Sequence, residues 1–426
     1  MTLKVTKLLA FILFMGMPFL ANAQNGPDLT DALNHQLIPL RTVEPDTGFA
    51  DLEPLKAILK DKQIFGLGEA THGTHEFFTF KHRMLVLLVK ELGVKTFVIE
   101  GDFAGAQQMN DYVLYGKNSL NQGLVGLGIR AWMTQEVADM AEWIKTYNDT
   151  QTPENKVTFW GCDLKLAYFM VEPVKQYLTA NHQLTPVLDS GFSAMRKYGH
   201  PLTETDKASV KAALGELSKI SFNKADPGKL ALYQHYVRQM QQCFDYVGAY
   251  SKLFPARQDN VRDKYMAENC EWIYNQTGHK KMMIWAHNQH ICKSSGSEGH
   301  NRMGMRLAKT FGEAYYAVGF DFYDGAMRSF DMQTMKYVAV PIAPAKADAT
   351  GNVFSKCSAA NFILDFKSAS ANPVIKNFLD KEVPSSFYGA EYNAPSYVEH
   401  RLADSYDGVI FIKNTTPARS LKPSQQ

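Results

Sequence analysis

The sequence predicts an α/β fold, a mainly parallel central sheet flanked by helices with a helical insertion or lid. Three observations carry that expectation. Short apolar runs of strand length alternate with stretches whose apolar residues recur at helical spacing. Each run ends on polar residues, which is where an open α/β sheet collects its chemistry. Between Cys162 and His279 the alternation gives way to a segment that reads as almost wholly helical.

The chain opens on Lys4 and Lys7, an apolar run from Leu8 to Leu20, and the small-residue cut site Ala21-Asn22-Ala23. That is a secretory leader over residues 1–23, cut after Ala23, with residues 24–426 as the mature domain. The run is shorter than the roughly 20 apolar residues of a membrane span. An uncleaved anchor is the alternative reading. The leader implies a periplasmic or secreted protein with no stable membrane insertion once it is removed. Its loss takes the net charge from +2 to about zero, which points to neither a nucleic acid nor a membrane surface as partner. Five scattered cysteines without a C-x-x-C make neither a disulfide framework nor a cysteine zinc site.

The first strand, residues 64–68, runs into an ionisable cluster of Glu69, His72, His75, Glu76, His82 and Arg83. A helix follows over 77–92 and stops at Gly93. A second strand, 96–99, ends at Glu100-Gly101-Asp102. Helices follow over about 104–114 and 136–147, and a strand over 157–160 ends at Gly161-Cys162-Asp163. The helical insertion spans about 164–279, with amphipathic segments around 205–220, 229–252 and 260–276. A strand at 282–285 ends at Ala286-His287-Asn288, with His290 close behind. Residues 315–320 and 409–412 read as later strands, and the tail after Pro341 reads as irregular.

Strand C-termini of a parallel sheet share one edge, so Glu69, His72, Glu100, Asp102, Asp163, His287 and His290 can converge. The common alternatives are absent. There is no G-x-S-x-G elbow, no H-E-x-x-H and no P-loop. Gly66 and Gly68 follow a strand, but Thr71 stands where a dinucleotide fingerprint needs glycine. What remains is histidine and carboxylate chemistry, suited to activating water directly or to holding a metal.

The stretch GEATHGTHEFFTFKHR, ending at Arg83, resembles the leading motif of the erythromycin esterase family. The likeness continues at Val98-Ile99-Glu100, Trp132, Glu136-Val137, Trp143, Tyr147-Asn148, Gly161 and Asp163. It resumes at Arg262-Asp263, Met266-Ala267-Glu268-Asn269, Ile284-Trp285-Ala286-His287-Asn288, Met303-Gly304 and Val318-Gly319-Phe320, so it covers roughly residues 52–325. The resemblance implies an α/β core, a helical insertion and a deep cleft between them. It implies hydrolysis of a macrolactone ester without a serine nucleophile, as in macrolide resistance. The family's catalytic histidine falls on His72, its companion acid on Glu69, a further acid on Glu100, a second histidine on His287 and an arginine on Arg262. The family motif often has another residue where this chain has His75, so no role is carried over there. The leader is a second departure.

In the corresponding mechanism neutral His72 takes a proton from water, and Glu69 or Glu100 orients its ring. Arg262, or else Arg83, meets the developing oxyanion, and His287 protonates the leaving alkoxide. Arg83 reads equally well as a structural ion pair on its helix. Arg83, His75, Asp102, Asp163, Trp132 and His290 are candidate substrate-binding residues, and the expected substrate is a small molecule, a macrolide or another lactone or ester. No resident cofactor is expected. Two alternatives stay open. The same histidines and carboxylates suit Zn²⁺ or Mn²⁺, giving a metal-dependent hydrolase of an envelope ester or peptide. The cleft of a non-catalytic envelope binding protein is the other.

Overall fold

A computed structural model describes residues 28–164, 167–197, 202–250, 256–295, 300–392 and 394–422. The leader and the extreme C-terminal residues lie outside that range. The described strands are β1 (Ile38–Pro39), β2 (Ile64–Leu67), β3 (Thr96–Asp102), β4 (Thr158–Asp163), β5 (Met282–Trp285) and β6 (Tyr315–Asp331). They continue with β7 (Lys336–Ile342), β8 (Asn361–Asp365), β9 (Glu382–Ser386), β10 (Tyr397–Arg401) and β11 (Gly408–Thr415). The main sheet runs β1-β8-β11-β6-β2-β5-β3-β4, and β7 folds back on the far end of β6. From β11 to β4 all neighbours are parallel, while β8 and β1 close one edge antiparallel. This is the expected α/β architecture.

The central strands are buried on both faces, which is why they read as unbroken apolar runs. Successive residues still go to opposite sides. Ile64, Met282 and Ile284 enter one core, whereas Phe65, Met283 and Trp285 enter the other. The helix His75–Leu92 covers the second face with Phe77, Phe80, Met84, Leu87 and Leu88 buried. It stops where the sequence says, because Gly93 takes a left-handed conformation at φ 76° and lets the next residue, Val94, return its N–H to Leu88 O.

Between β4 and β5 the described residues form five helices: Ala167–Ala180, Pro186–Met195, Glu204–Leu217, Pro227–Gly248 and Ala256–Gln276. Side-chain caps from Thr185, Thr203 and Asp226 start three of them. All five cysteines are buried and free. Among the described residues no helix is long and apolar enough to cross a membrane.

The tail after Pro341 departs from expectation. Among the described residues it carries β8, four short helices and the antiparallel pair β9–β10, and only then the expected β11. These elements are too short for periodicity to show in the sequence. The topology also fixes the site. The chain leaves β2 for β3 and β4, then returns to lay β5 between β2 and β3, and crosses to β6 on the other side. The crevice at such a reversal, beyond the strand C-termini, is where open α/β sheets bind ligands.

Candidate active site

Beyond the ends of β2, β3 and β5 lies a cleft of about 430 Å³, whose walls include His72, Glu100, Arg262, His287 and His290. Each reaches it for a local reason. β2 ends at Leu67, and the tight turn that follows presents His72 at the mouth, 13% exposed. Gly73 next to it allows close passage of β6, since a Cβ there would stand 1.9 Å from the Arg328 carbonyl oxygen. The His72 Nδ1–H donates to Glu69 Oε1 at 2.6 Å. That bond fixes the tautomer and leaves Nε2 as the basic nitrogen on the cleft side.

Glu69 is fully buried, and its other oxygen accepts from Lys81 Nζ at 2.6 Å and Trp285 Nε1 at 3.0 Å. Burial pulls Lys81 down to about 8, against the attraction of Glu69. Trp132 sets its ring edge against the His72 imidazole, with centroids 5.2 Å apart, and donates Nε1–H to the Glu100 carbonyl at 2.7 Å. The imidazole is thus held by a carboxylate on one side and an aromatic wall on another.

A second network starts at Glu100. Its Oε2 accepts the His287 backbone N–H at 2.9 Å, and its Oε1 accepts from Arg262 Nη2 at 2.8 Å. Arg262 also forks onto Asp163, with Nε 3.0 Å from Oδ1 and Nη2 2.6 Å from Oδ2. Burial works against the Glu100 charge, but His290, His72 and Arg262 hold it well below the usual carboxylate range. His290 donates Nδ1–H to Asp263 Oδ1 at 2.8 Å. Burial opposes its charge too, yet Asp263 and Glu100 raise it to about 9. Its Nε2 stands 3.0 Å from Arg262 Nη1 and 3.4 Å from Glu100 Oε1. A neutral ring accepts from the arginine, and a charged ring donates to the glutamate. The carboxylates favour the charged form at neutral pH.

His287 differs from its sequence-based role. Its Nδ1 accepts the Gln289 backbone N–H at 3.2 Å, so Nε2 carries the proton and donates it to the Tyr388 carbonyl at 3.0 Å. Burial, and then the neighbouring His72, hold it well below the ordinary histidine value. A neutral ring with both nitrogens engaged is a poor proton donor to a leaving group. Its ring packs 5.1 Å from that of His72 and so acts as a positioning residue.

Most candidate substrate-binding residues lie elsewhere. Arg83 is buried in a bidentate pair with Asp51, with further bonds to the Thr42 and Gly48 carbonyls. Of its two readings, the structural pair is the one observed. His75 points to Glu136, 2.7 Å away, and Arg419 bonds the same carboxylate. Asp102 and Asp163 are fully buried, one accepting from the Gly105 N–H and the other from Arg262. Trp132 is fully buried as well. Only His290 of that group lines the cleft.

Sequence reasoning missed Lys81 and the far wall, made of His300 and Arg302 with Phe387, Tyr397 and Val398 from the β9–β10 hairpin. Lys81 left a signal, a lone lysine amid the apolar positions of its helix. The hairpin left none. It is bound to the site by main chain. The Gly389 carbonyl accepts from the His72 N–H, and the Tyr388 N–H donates to Ala70 O.

Comparison with known proteins places this geometry. Residues 89–415 match the family model described as Erythromycin esterase, a span that begins after the leading motif. The chain is 27% identical over 321 residues to erythromycin esterase type II of Escherichia coli, covering 68% of this chain and 75% of that one. A crystal structure of a Bacillus cereus protein shares the fold with a TM-score of 0.81 at 24% identity, covering 92% of this chain and 98% of that chain. A crystal structure of an erythromycin esterase EreC mutant in its open conformation superposes with a TM-score of 0.68 at 16% identity, over 88% and 97% of the two chains.

Proposed function

This chain belongs to the erythromycin esterase family, and from that premise we propose that it opens carboxylic esters, lactones of the macrolide kind among them, by attack of a water that His72 activates. The observation that carries the reading is the Glu69–His72 pair. A buried carboxylate holds Nδ1–H at 2.6 Å and leaves Nε2 bare at the cleft. His72 takes the proton from water as the oxygen adds to the ester carbonyl. The oxyanion that develops meets the Nη1 N–H groups of Arg262, which a charged His290 beside them, donating to Glu100, leaves unaccepted. When the intermediate collapses, His72 returns its proton to the departing alkoxide. No covalent enzyme intermediate and no serine nucleophile is needed.

The reaction is metal-independent in this reading. Glu69 is committed to His72, Lys81 and Trp285, Glu100 to Arg262 and the His287 N–H, and both His287 nitrogens are engaged. Arg262 fills the position among the carboxylates where a metal cation would sit. Mass spectrometry of a panel of 14-, 15- and 16-membered macrolides and simple lactones, incubated with and without EDTA, tests both points. The expected result is a gain of one water on at least one lactone, unchanged by the chelator. Loss of turnover in EDTA that added Zn²⁺ or Mn²⁺ restores would replace the metal-free mechanism with a metal-bound hydroxide.

We also propose that the enzyme is exported and works outside the cytoplasm, where it would remove a macrolide before it reaches the ribosome. The leader composition supports this. The intact mass of protein recovered from an expressing host should correspond to a chain starting at Gln24, and an uncut N-terminus would refute it.

A further inference from the structure

The two arginines of the cleft are used very differently. Arg262 spends its guanidinium on Asp163, Glu100 and His290. Arg302 also lines the cleft, and its side chain is only 12% exposed. Yet among the described residues its guanidinium has a single charged neighbour, Asp263 Oδ2, at 4.0 Å from Nη1. That is beyond hydrogen-bond distance. The other oxygen of Asp263 is already occupied, accepting from His290 Nδ1 and from the Met303 N–H, each at 2.8 Å. Arg302 therefore presents an unfilled planar fork of donors to a partly desolvated cleft.

A half-buried guanidinium without a hydrogen-bonded acceptor is costly, and its geometry matches a carboxylate or a phosphate with two parallel bonds. The wall around it agrees. His300 lines the cleft with it and His290 carries its charge nearby, while of the two acidic residues in the lining Glu100 is engaged by Arg262 and the His287 N–H and Asp259 is exposed. The apolar share of the cleft is small, limited to Phe387, Val398 and the ring of Tyr397. An extended neutral and apolar ligand would leave the Arg302 donors unpaired on binding, which selects against it.

We propose that Arg302 is a specificity-determining residue, and that the preferred substrate of this hydrolase carries an oxyanion, a carboxylate or a phosphate, at the end of the cleft away from His72. Asp263 links the two regions, since it holds His290 on one side and faces Arg302 on the other. The ester is cleaved at His72 while the anionic group is held beyond Asp263. This deepens the ester-hydrolase part of the proposed function, on which it rests, and makes neutral macrolactones the poorer substrates.

The test uses matched aryl esters whose acyl chain ends in a carboxylate, in a phosphate, or in the neutral methyl ester. Wild type should favour an anionic member over the neutral one in kcat/KM by about tenfold or more. The preference should shrink as salt rises. Arg302→Gln should bring the ratio close to one, and Arg302→Lys should restore part of it. A purely structural role would lower all three rates together and leave the ratio unchanged, which overturns the proposal. So does a wild-type ratio at or below one. The carboxylate and phosphate arms identify which oxyanion the site takes. Should wild type hydrolyse none of the three, the esterase reading fails separately. Calorimetric titration with suberate and with inorganic phosphate then decides the subsite, since binding about tenfold tighter to wild type than to Arg302→Gln keeps it and equal binding removes it.

Discussion

His72→Ala is expected to lower kcat/KM on any ester the enzyme turns over by about 10²–10⁴-fold, the usual worth of a positioned general base. The fold should tolerate the change, because the ring lies at the cleft mouth and its deletion strands no buried cation. What it does strand is Glu69 Oε1, and Glu69 keeps Lys81 and Trp285 as donors. The variant should therefore give a far-ultraviolet dichroism spectrum like that of wild type. Glu69→Gln gives a sharper version. The amide still reaches the Nδ1 side of the ring, but it can offer an N–H there and no longer requires His72 to keep its proton on Nδ1. Loss of kcat with little change in KM is expected. Full activity in the His72→Ala variant would remove the imidazole from the mechanism and direct attention to Glu100 as the base.

Arg262→Met is expected to produce the largest change in stability, about 3–5 kcal/mol, because it leaves two buried carboxylates without their shared cation. Asp163 loses the Arg262 fork and Glu100 keeps only His290 of its two cations, and each carboxylate is fully or almost fully buried. The free energy is read from the midpoint of guanidinium unfolding monitored by fluorescence. Asp163→Asn in the same chain should recover much of the loss, since it removes one of the stranded charges. A destabilisation below about 1 kcal/mol, with no recovery in the double variant, would show that the carboxylates neutralise themselves by taking up protons. Activity should fall in both variants, as the oxyanion loses its arginine.

The contrast between Lys81 and Arg83 shows what the sequence discloses and what it withholds. Both follow the leading strand on one helix, and the sequence offered Arg83 as a site residue and as a structural ion pair alike, while passing over Lys81. Two positions along an α-helix are roughly 200° apart around its axis. Lys81 therefore faces Glu69 at the strand end, while Arg83 faces Asp51 and the N-terminal segment. The strand ends were legible because a parallel sheet puts all its C-termini on one edge. Glu69, His72, Glu100, His287 and His290 could be placed without knowing a single contact. Arg262 was legible only through the family motif, because nothing in a helical segment says which strand it will meet. The β9–β10 wall was not legible. Its grip on His72 and His287 uses main-chain carbonyls of Tyr388 and Gly389, and those groups are the same in every sequence. The proton traffic of His287 was hidden for the same reason.

The position of β11 bears on how this enzyme comes into being. It is the last of the described strands, yet it lies inside the sheet between β6 and β8. Just beyond it Thr416 O accepts the His75 N–H, and the Ala418 N–H reaches Gly73 O, beside the base. Until residues 408–418 have been synthesised the sheet keeps an open slot between β6 and β8, and the turn that carries His72 lacks this clasp. The turn that carries His72 is thus closed by a segment more than 300 residues downstream of it, so the catalytic base is among the last parts of the fold to be fixed in place.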